Sequence, residues 1–335
     1  MKKIYLLFIL VFSLFIMTSC NQDKKDGINI IATNFVGYDF ARAVTKDTNA
    51  NVSMLLKPGA EIHGYEPSTK DIINILDSDV FIYVGGESDS EWVEKSILSQ
   101  VDKSKTKIVS MFEVVENGRE TSLYKEIDYE SGEEEDEYDE HLWNDCNNAE
   151  VILTGIKNAI VEKDNKNEKK YEDNYKSYFH EINDWNFKIN AVVCSIVYIP
   201  GRSPYMLVAD RFPLLYFVNH NRIAYDAALS GCTTQTEVSI DKLKKLKNKI
   251  EELHLKYIFT IELSELSIAS TLKQEIKHDI NNGSYDGEEI EILTYYSMHN
   301  ISKDDFEAGL TFADYLKKNY ETMKIYIEHL KTLNL

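Results

Sequence analysis

The chain has 335 residues, 43% apolar and 28% charged, enough for about two domains with buried cores rather than a disordered chain. Acidic residues outnumber basic ones 56 to 37, a formal charge of −19. That balance argues against nucleic acid as a partner and against docking on anionic lipid through the protein surface.

Lys2 and Lys3 precede an apolar run from Ile4 to Met17, too short for the roughly 20 residues of a membrane span. A charged start and a short apolar middle predict a secretory leader. The stretch Met17-Thr18-Ser19-Cys20 resembles a bacterial lipobox, with Met where Leu is usual. The mature chain would begin at Cys20, carrying lipid on its thiol and amine. Residues 21–27 read as a leash. No later stretch is long and apolar enough to span a bilayer, so the expectation is a soluble body held at the membrane by its lipid anchor alone. Cys146, Cys194 and Cys232 remain, an odd number without CxxC spacing, and are expected as buried thiols.

From residue 28 onward, short β-branched runs alternate with amphipathic segments. Strands are expected at 28–33, 52–56, 79–84 and 107–110, with helices near 36–45, 68–76 and 90–99. Residues 128–140 hold nine Asp or Glu in thirteen positions and are expected to form a mobile loop through mutual repulsion. Within 166–193, Tyr171, Tyr175, Tyr178, Ile182, Trp185 and Ile189 follow steps of 4, 3, 4, 3 and 4, one helical stripe. A helix of that length, about 40 Å, would be a stiff connector. A second βα set follows, with strands at 205–209, 222–226, 256–261 and 289–294 and helices near 211–219, 240–254, 264–279 and 303–331. The expected fold class is α/β: two lobes with mostly parallel four-stranded sheets joined by one long rigid helix. The expected division is a lipoprotein signal peptide over 1–20, a tether over 21–27, an N-terminal α/β lobe over 28–165, a linker helix over 166–195 and a C-terminal α/β lobe over 196–335.

GxGxxG after the first strand, GxxxxGK[ST], GxSxG and HExxH are all missing. What remains is a set of ligand types beyond the carboxyl ends of strands, the edge where open α/β sheets bind ligands. These are His63, His141, Asp210, Tyr296 and His299. Imidazole with carboxylate suits a divalent transition metal. His180, His220, His254, His278 and His329 are taken as structural or exposed.

The stretches PGAEIHGYEPSTKDI, VGGESDSEWVEK, DEHLWNDCNNA, ADRFPLLYF, SGCTTQTEVS and HNISKDDFEAG resemble the metal-binding lipoproteins of bacterial ABC importers, the zinc and manganese group often called cluster A-I. The resemblance runs from about residue 29 to the end. It implies two α/β lobes on one rigid helix, one metal between the lobes, and delivery to an ABC importer permease. It also implies His63 and His141 as the first two ligands. The family's third ligand falls near ADRFP, shifted by one residue, where Asp210 is the nearest acceptor. The fourth position aligns with Tyr296, a poor ligand at neutral pH; His299 stands three residues on, and Glu262 is a reserve. Imidazoles with one carboxylate favour zinc, and a more oxygen-rich set would favour manganese. The acidic run would collect metal near His141.

The leading expectation is a monomeric binding module without catalysis, in which protonation of His63 and His141 at low pH would weaken binding. The alternatives are a surface adhesin or interaction lipoprotein and a metal-dependent extracytoplasmic enzyme, with Glu66 or Glu237 as nominal bases.

Overall fold

A computed structural model describes residues 27–332 apart from 61–64, 130, 197, 198, 200–202, 232, 234 and 236, and for residues 87, 91 and 135 the backbone alone. The leader, the lipobox with Cys20, most of the tether, His63 and Cys232 lie outside the described residues. Among the described residues, no helix is long and apolar enough to cross a membrane.

The first sheet contains β1 (Asn29–Ala32), β2 (Asn51–Met54), β3 (Val80–Tyr83) and β4 (Lys107–Ser110), all parallel, in the order β2-β1-β3-β4. Between them run α1 (Phe35–Val44), α2 (Thr69–Asp77) and α3 (Ser90–Ile97), the last a widened helix entered through a turn at Glu87–Asp89. Asn34 caps α1 by accepting from the Gly37 amide, and Ser68 and Asp71 form a reciprocal capping box on α2. Gly37 lets α1 lie close on the sheet, since a Cβ there would stand 2.9 Å from the Ile82 methyl.

Two elements after β4 were not anticipated. These are α4 (Met111–Glu116) and α5 (Cys146–Lys163), the latter capped by the Asp145 side chain. The acidic run is also not a loop. β5 (Lys125–Asp128) and β6 (Glu133–Tyr138) pair as an antiparallel hairpin turning at Gly132, whose φ is +81°. Backbone pairing and contacts of β5 and the turn with the second lobe outweigh the repulsion, because the charged side chains splay into solvent. In the turn Tyr129 packs edge-on against Phe212, and on β5 the Ile127 carbonyl accepts from Ser230 Oγ.

The expected connector is α6 (Glu168–Cys194), 27 residues long. Its stripe buries Tyr171, Tyr178, Ile182 and Ile189, with Tyr175 and Trp185 partly covered. The second sheet holds β7 (Tyr205–Phe212), β8 (Ala224–Ser230), β9 (Tyr257–Thr260) and β10 (Glu291–Thr294) in the order β10-β9-β7-β8. Read from its other edge, this is the first sheet's order again. In each lobe the first strand lies between the second and the third, which makes a topological switch point there.

Strand β7 runs further than expected, so α7 (Leu215–Asn221) starts late, after Pro213. It is followed by α8 (Ile240–Glu252) and α9 (Ser267–Asn282). The long helix expected over 303–331 is broken into α10 (Lys303–Glu307) and α11 (Phe312–Leu330). Gly309, at φ +76°, ends the first, and the Thr311–Asp314 capping box starts the second.

One buried cluster runs from Ile30 and Ile82 through Tyr178 and Ile189 to Val208 and Phe259, so both sheets and α6 share a core. Smaller clusters cover the outer face of each sheet.

Candidate metal centre

Strand β7 carries an irregularity. Val208 pairs with Ala227 and Arg211 with Leu229, three steps against two, so one extra residue bulges out at Ala209–Asp210. Asp210 fastens that bulge. Its Oδ1 accepts from the Arg211 amide at 2.8 Å and its Oδ2 from the Ile261 amide at 3.3 Å, tying β7 to the end of β9. The bulge presents Arg211, not Asp210, to the gap between the lobes. That gap holds about 110 Å³ and is lined by Gly59, Ala60, Arg211, Ile261, Glu262 and His299, among others.

His141 comes from the first lobe, directly after the hairpin, and is fully buried. Asp139 Oδ1 accepts from the His141 amide at 2.8 Å and lies 3.1 Å from Nδ1. This contact selects the tautomer with its proton on Nδ1 and leaves Nε2 as an acceptor facing His299. Burial pulls the imidazole's pKa down, but the Asp139 carboxylate, with Glu126 and Glu140 behind it, holds it above the ordinary value. Asp139 is itself fixed from the second lobe, where Tyr216 hydroxyl donates to its carbonyl at 2.9 Å.

His299 comes from the second lobe. Met298, at φ +60°, takes the left-handed conformation immediately before it and turns the chain back. Glu262 gathers that turn: Oε1 accepts from His299 amide at 3.0 Å and Ser297 Oγ at 2.8 Å, and Oε2 from Ser297 amide at 2.6 Å. Burial raises the Glu262 carboxyl, and these donors oppose the rise. His299 Nδ1 stands 3.3 Å from His141 Nε2, the two rings nearly perpendicular at 82°. Two nitrogens on one tetrahedral zinc, each about 2.0–2.1 Å from it, are about 3.3 Å apart. The pair therefore has the spacing of two ligands of one metal.

The 57–60 turn of the first lobe is docked on the same loop. Gly59 amide donates to Ile301 carbonyl at 2.8 Å, and Asn300 Nδ2 donates to Ala60 carbonyl. Trp143 Nε1 donates to Ser297 carbonyl at 2.8 Å. Both chains carrying the histidines are thus tied across the gap.

Of the sequence candidates, the structure brings His141, His299 and Glu262 together. It uses Asp210 as the bulge fastener, with both oxygens on backbone amides. It turns Tyr296 away to stack on Tyr315, with ring centroids 4.9 Å apart and Asn319 bridging its backbone. Sequence reasoning missed Asp139 as the partner of His141, although D-x-H spacing is a usable signal. It also missed Asn300, Ser297 and Arg211, which only the meeting of the two lobes reveals. Cys146 and Cys194 are free and half-buried rather than buried.

Comparison with known proteins adds the family. The profile described as zinc-uptake complex component A, periplasmic (ZnuA) matches residues 30–325. The zinc-binding lipoprotein AdcA of Streptococcus pneumoniae is 27% identical over 337 residues, covering 97% of this chain and 61% of that protein. The high-affinity zinc uptake system protein ZnuA of Bacillus subtilis is 26% identical over 325 residues, covering 90% of this chain and 88% of that protein. The chain thus spans about three-fifths of the AdcA relatives' length. In fold it is similar to the Zn(II)-bound ZnuA-like domain of S. pneumoniae AdcA, with a TM-score of 0.68 at 22% identity over 90% of this chain and 99% of that one. It is also similar to the periplasmic zinc binding protein TroA from Treponema pallidum, with a TM-score of 0.69 at 15% identity over 90% and 99%. With two parallel sheets of like order on one long helix, and a family match over most of its length, the chain belongs to the ZnuA family of zinc-uptake components.

Proposed function

We propose that the protein is an extracytoplasmic binding lipoprotein that captures zinc between its lobes and delivers it to an ABC importer permease. The observation that carries this reading is the 3.3 Å approach of His141 Nε2 to His299 Nδ1 across the lobes, each backed by a carboxylate. His141 and His299 are two ligands. His63 is the third, from the matched motif three residues beyond the docked Ala60. Glu262, lining the same gap, supplies the carboxylate. Asp210 is left out because the bulge turns it from the gap that Glu262 lines, and Tyr296 because it stacks on Tyr315. Imidazole-rich ligation favours zinc over manganese. The names of the zinc-binding lipoprotein AdcA and the zinc uptake system protein ZnuA support the cargo and a role in uptake, and the periplasmic family description supports the location. Cys20 within the lipobox supports the lipid anchor. Capture and release involve no chemical step, so the reading is of a carrier and not an enzyme.

The test is a zinc titration of the chelator-stripped protein followed by thermal unfolding. At 100 times the dissociation constant, zinc should add about 2.7 kcal/mol to the folded state. A one-to-one shift lost in both His141→Gln and His299→Gln is expected. No shift with zinc, or a full shift in either variant, would overturn the assignment.

A further inference from the structure

A second group of reactive side chains lies on the lobe boundary and includes none of the proposed metal ligands. Cys146 opens α5 in the first lobe, and His220 sits on α7 in the second. Cys146 Sγ is 3.2 Å from His220 Nε2, and His220 Nδ1 is 3.1 Å from Asp145 Oδ2. Asp145 is buried and also caps α5, accepting from the amides of Asn147 and Asn148. A thiol, an imidazole and a carboxylate in line, each at hydrogen-bond distance, are the parts of an activated sulfur nucleophile. The Asp145 hydrogen bond, then the Cys146 contact, push His220 up to about 10 against the opposing pull of burial. The imidazole is therefore held protonated beside the sulfur at neutral pH. The sulfur also stands at a helix N-terminus, which favours negative charge. Cys146 and His220 both line a cavity of about 20 Å³, room for one molecule the size of water.

We propose that Cys146 is a peroxide-reactive thiol, activated by His220 and Asp145 across the lobe boundary. The substrate class is hydrogen peroxide, the smallest hydroperoxide, matched to the narrowness of the space beside the sulfur. The sulfur attacks one peroxide oxygen, and the S–O bond forms as the O–O bond breaks. The departing hydroxide takes the His220 proton and leaves as water. Cys146 ends as a sulfenic acid, His220 as a neutral imidazole, and the peroxide is reduced. This chemistry is independent of zinc capture.

Cys194 provides a comparison within the same chain, since it is half-buried and its sulfur meets Asn190 Oδ1 at 3.6 Å. The experiment exposes the full chain to hydrogen peroxide at neutral pH, traps sulfenic acid, and follows each cysteine by peptide mass spectrometry. Cys146 should be consumed at least about tenfold faster than Cys194, and His220→Gln should remove that advantage. Should His220→Gln not fold, Asp145→Asn keeps the helix cap and should slow Cys146 in the same way. A Cys146 rate no greater than that of Cys194, or a fast rate retained in the folded variant, would overturn the proposal.

Discussion

The residues behind the histidines set their aim. Asp139 holds His141 through both its backbone and its ring, so Asp139→Asn should weaken zinc binding about 10–100-fold with little change in fold. Competition with a chromophoric chelator would measure this, and unchanged affinity would show that ring orientation comes from packing. Asp210→Asn should cost less than about tenfold by the same assay, because its oxygens serve the bulge and not the gap. A loss as deep as that of His141→Gln would return Asp210 to the ligand set. Asp89 makes a pH prediction. Burial first, then the nearby Glu140 charge, pushes its carboxyl up to about 7 from 3.8, while the Val84 and Gly85 amides oppose the rise. The folded chain then binds more protons than the unfolded one between these values, so stability falls as pH rises through that window. Asp89→Asn keeps an acceptor for the two amides and should flatten that fall in denaturant titrations at pH 5 and pH 8. An unchanged slope would mean that other groups set it. Legibility at this scale was uneven. His141 and His299 were visible because ligand types followed strand ends. Asp139 hid inside a run with nine acidic residues, where its D-x-H spacing to His141 was the one local mark of a partner.

Among elements, the acidic hairpin departs furthest from local expectation. Its acidic residues Glu133, Glu134, Asp136 and Glu137 are exposed, whereas β5 and the turn residue Tyr129 are built against the second lobe through Tyr129, Glu126 and Ile127. Glu126 is buried and accepts from Gly231 amide at 2.7 Å, and Lys242 Nζ donates to Tyr129 carbonyl at 2.6 Å. Replacing 131–137 with a short turn should therefore leave zinc affinity within about threefold, since exposed charges act weakly through screened solvent. Tyr129→Ala, in contrast, should loosen the hairpin against Phe212 and cost about 1–3 kcal/mol, below the range for a fully buried aromatic because Tyr129 is half-buried. A tip replacement that lost affinity strongly would make the carboxylates part of the site. Strand and helix positions elsewhere were legible from periodicity and caps. The bulge in β7 was not. An extra residue is invisible in the pattern and appears only as register against β8.

For the whole molecule, the shared core decides mechanics. The largest cluster, which includes Ile30, Ile182 and Phe259, joins both sheets and α6 and couples the lobes, whose own clusters are smaller. Calorimetry should therefore show one transition, and two resolved transitions would contradict it. Ile182→Ala, at the centre of α6, should lower that single transition by about 2–5 kcal/mol. Such a body suits release through small loop shifts better than wide hinge closure, because α6 packs on both lobes.

The order of strands and helices, the long connector, the surplus of acid and the histidine candidates were all present in the sequence, because periodicity, caps and composition are local quantities. Which carboxylate meets which histidine, that Arg211 faces the gap while Asp210 fastens a bulge, and that Cys146 meets His220 were decided by tertiary structure alone. Glu262 with His299, Asp210 with Ile261 and Cys146 with His220 each join residues dozens of positions apart. The contact follows from two lobes closing on one core, and no local pattern carries that information.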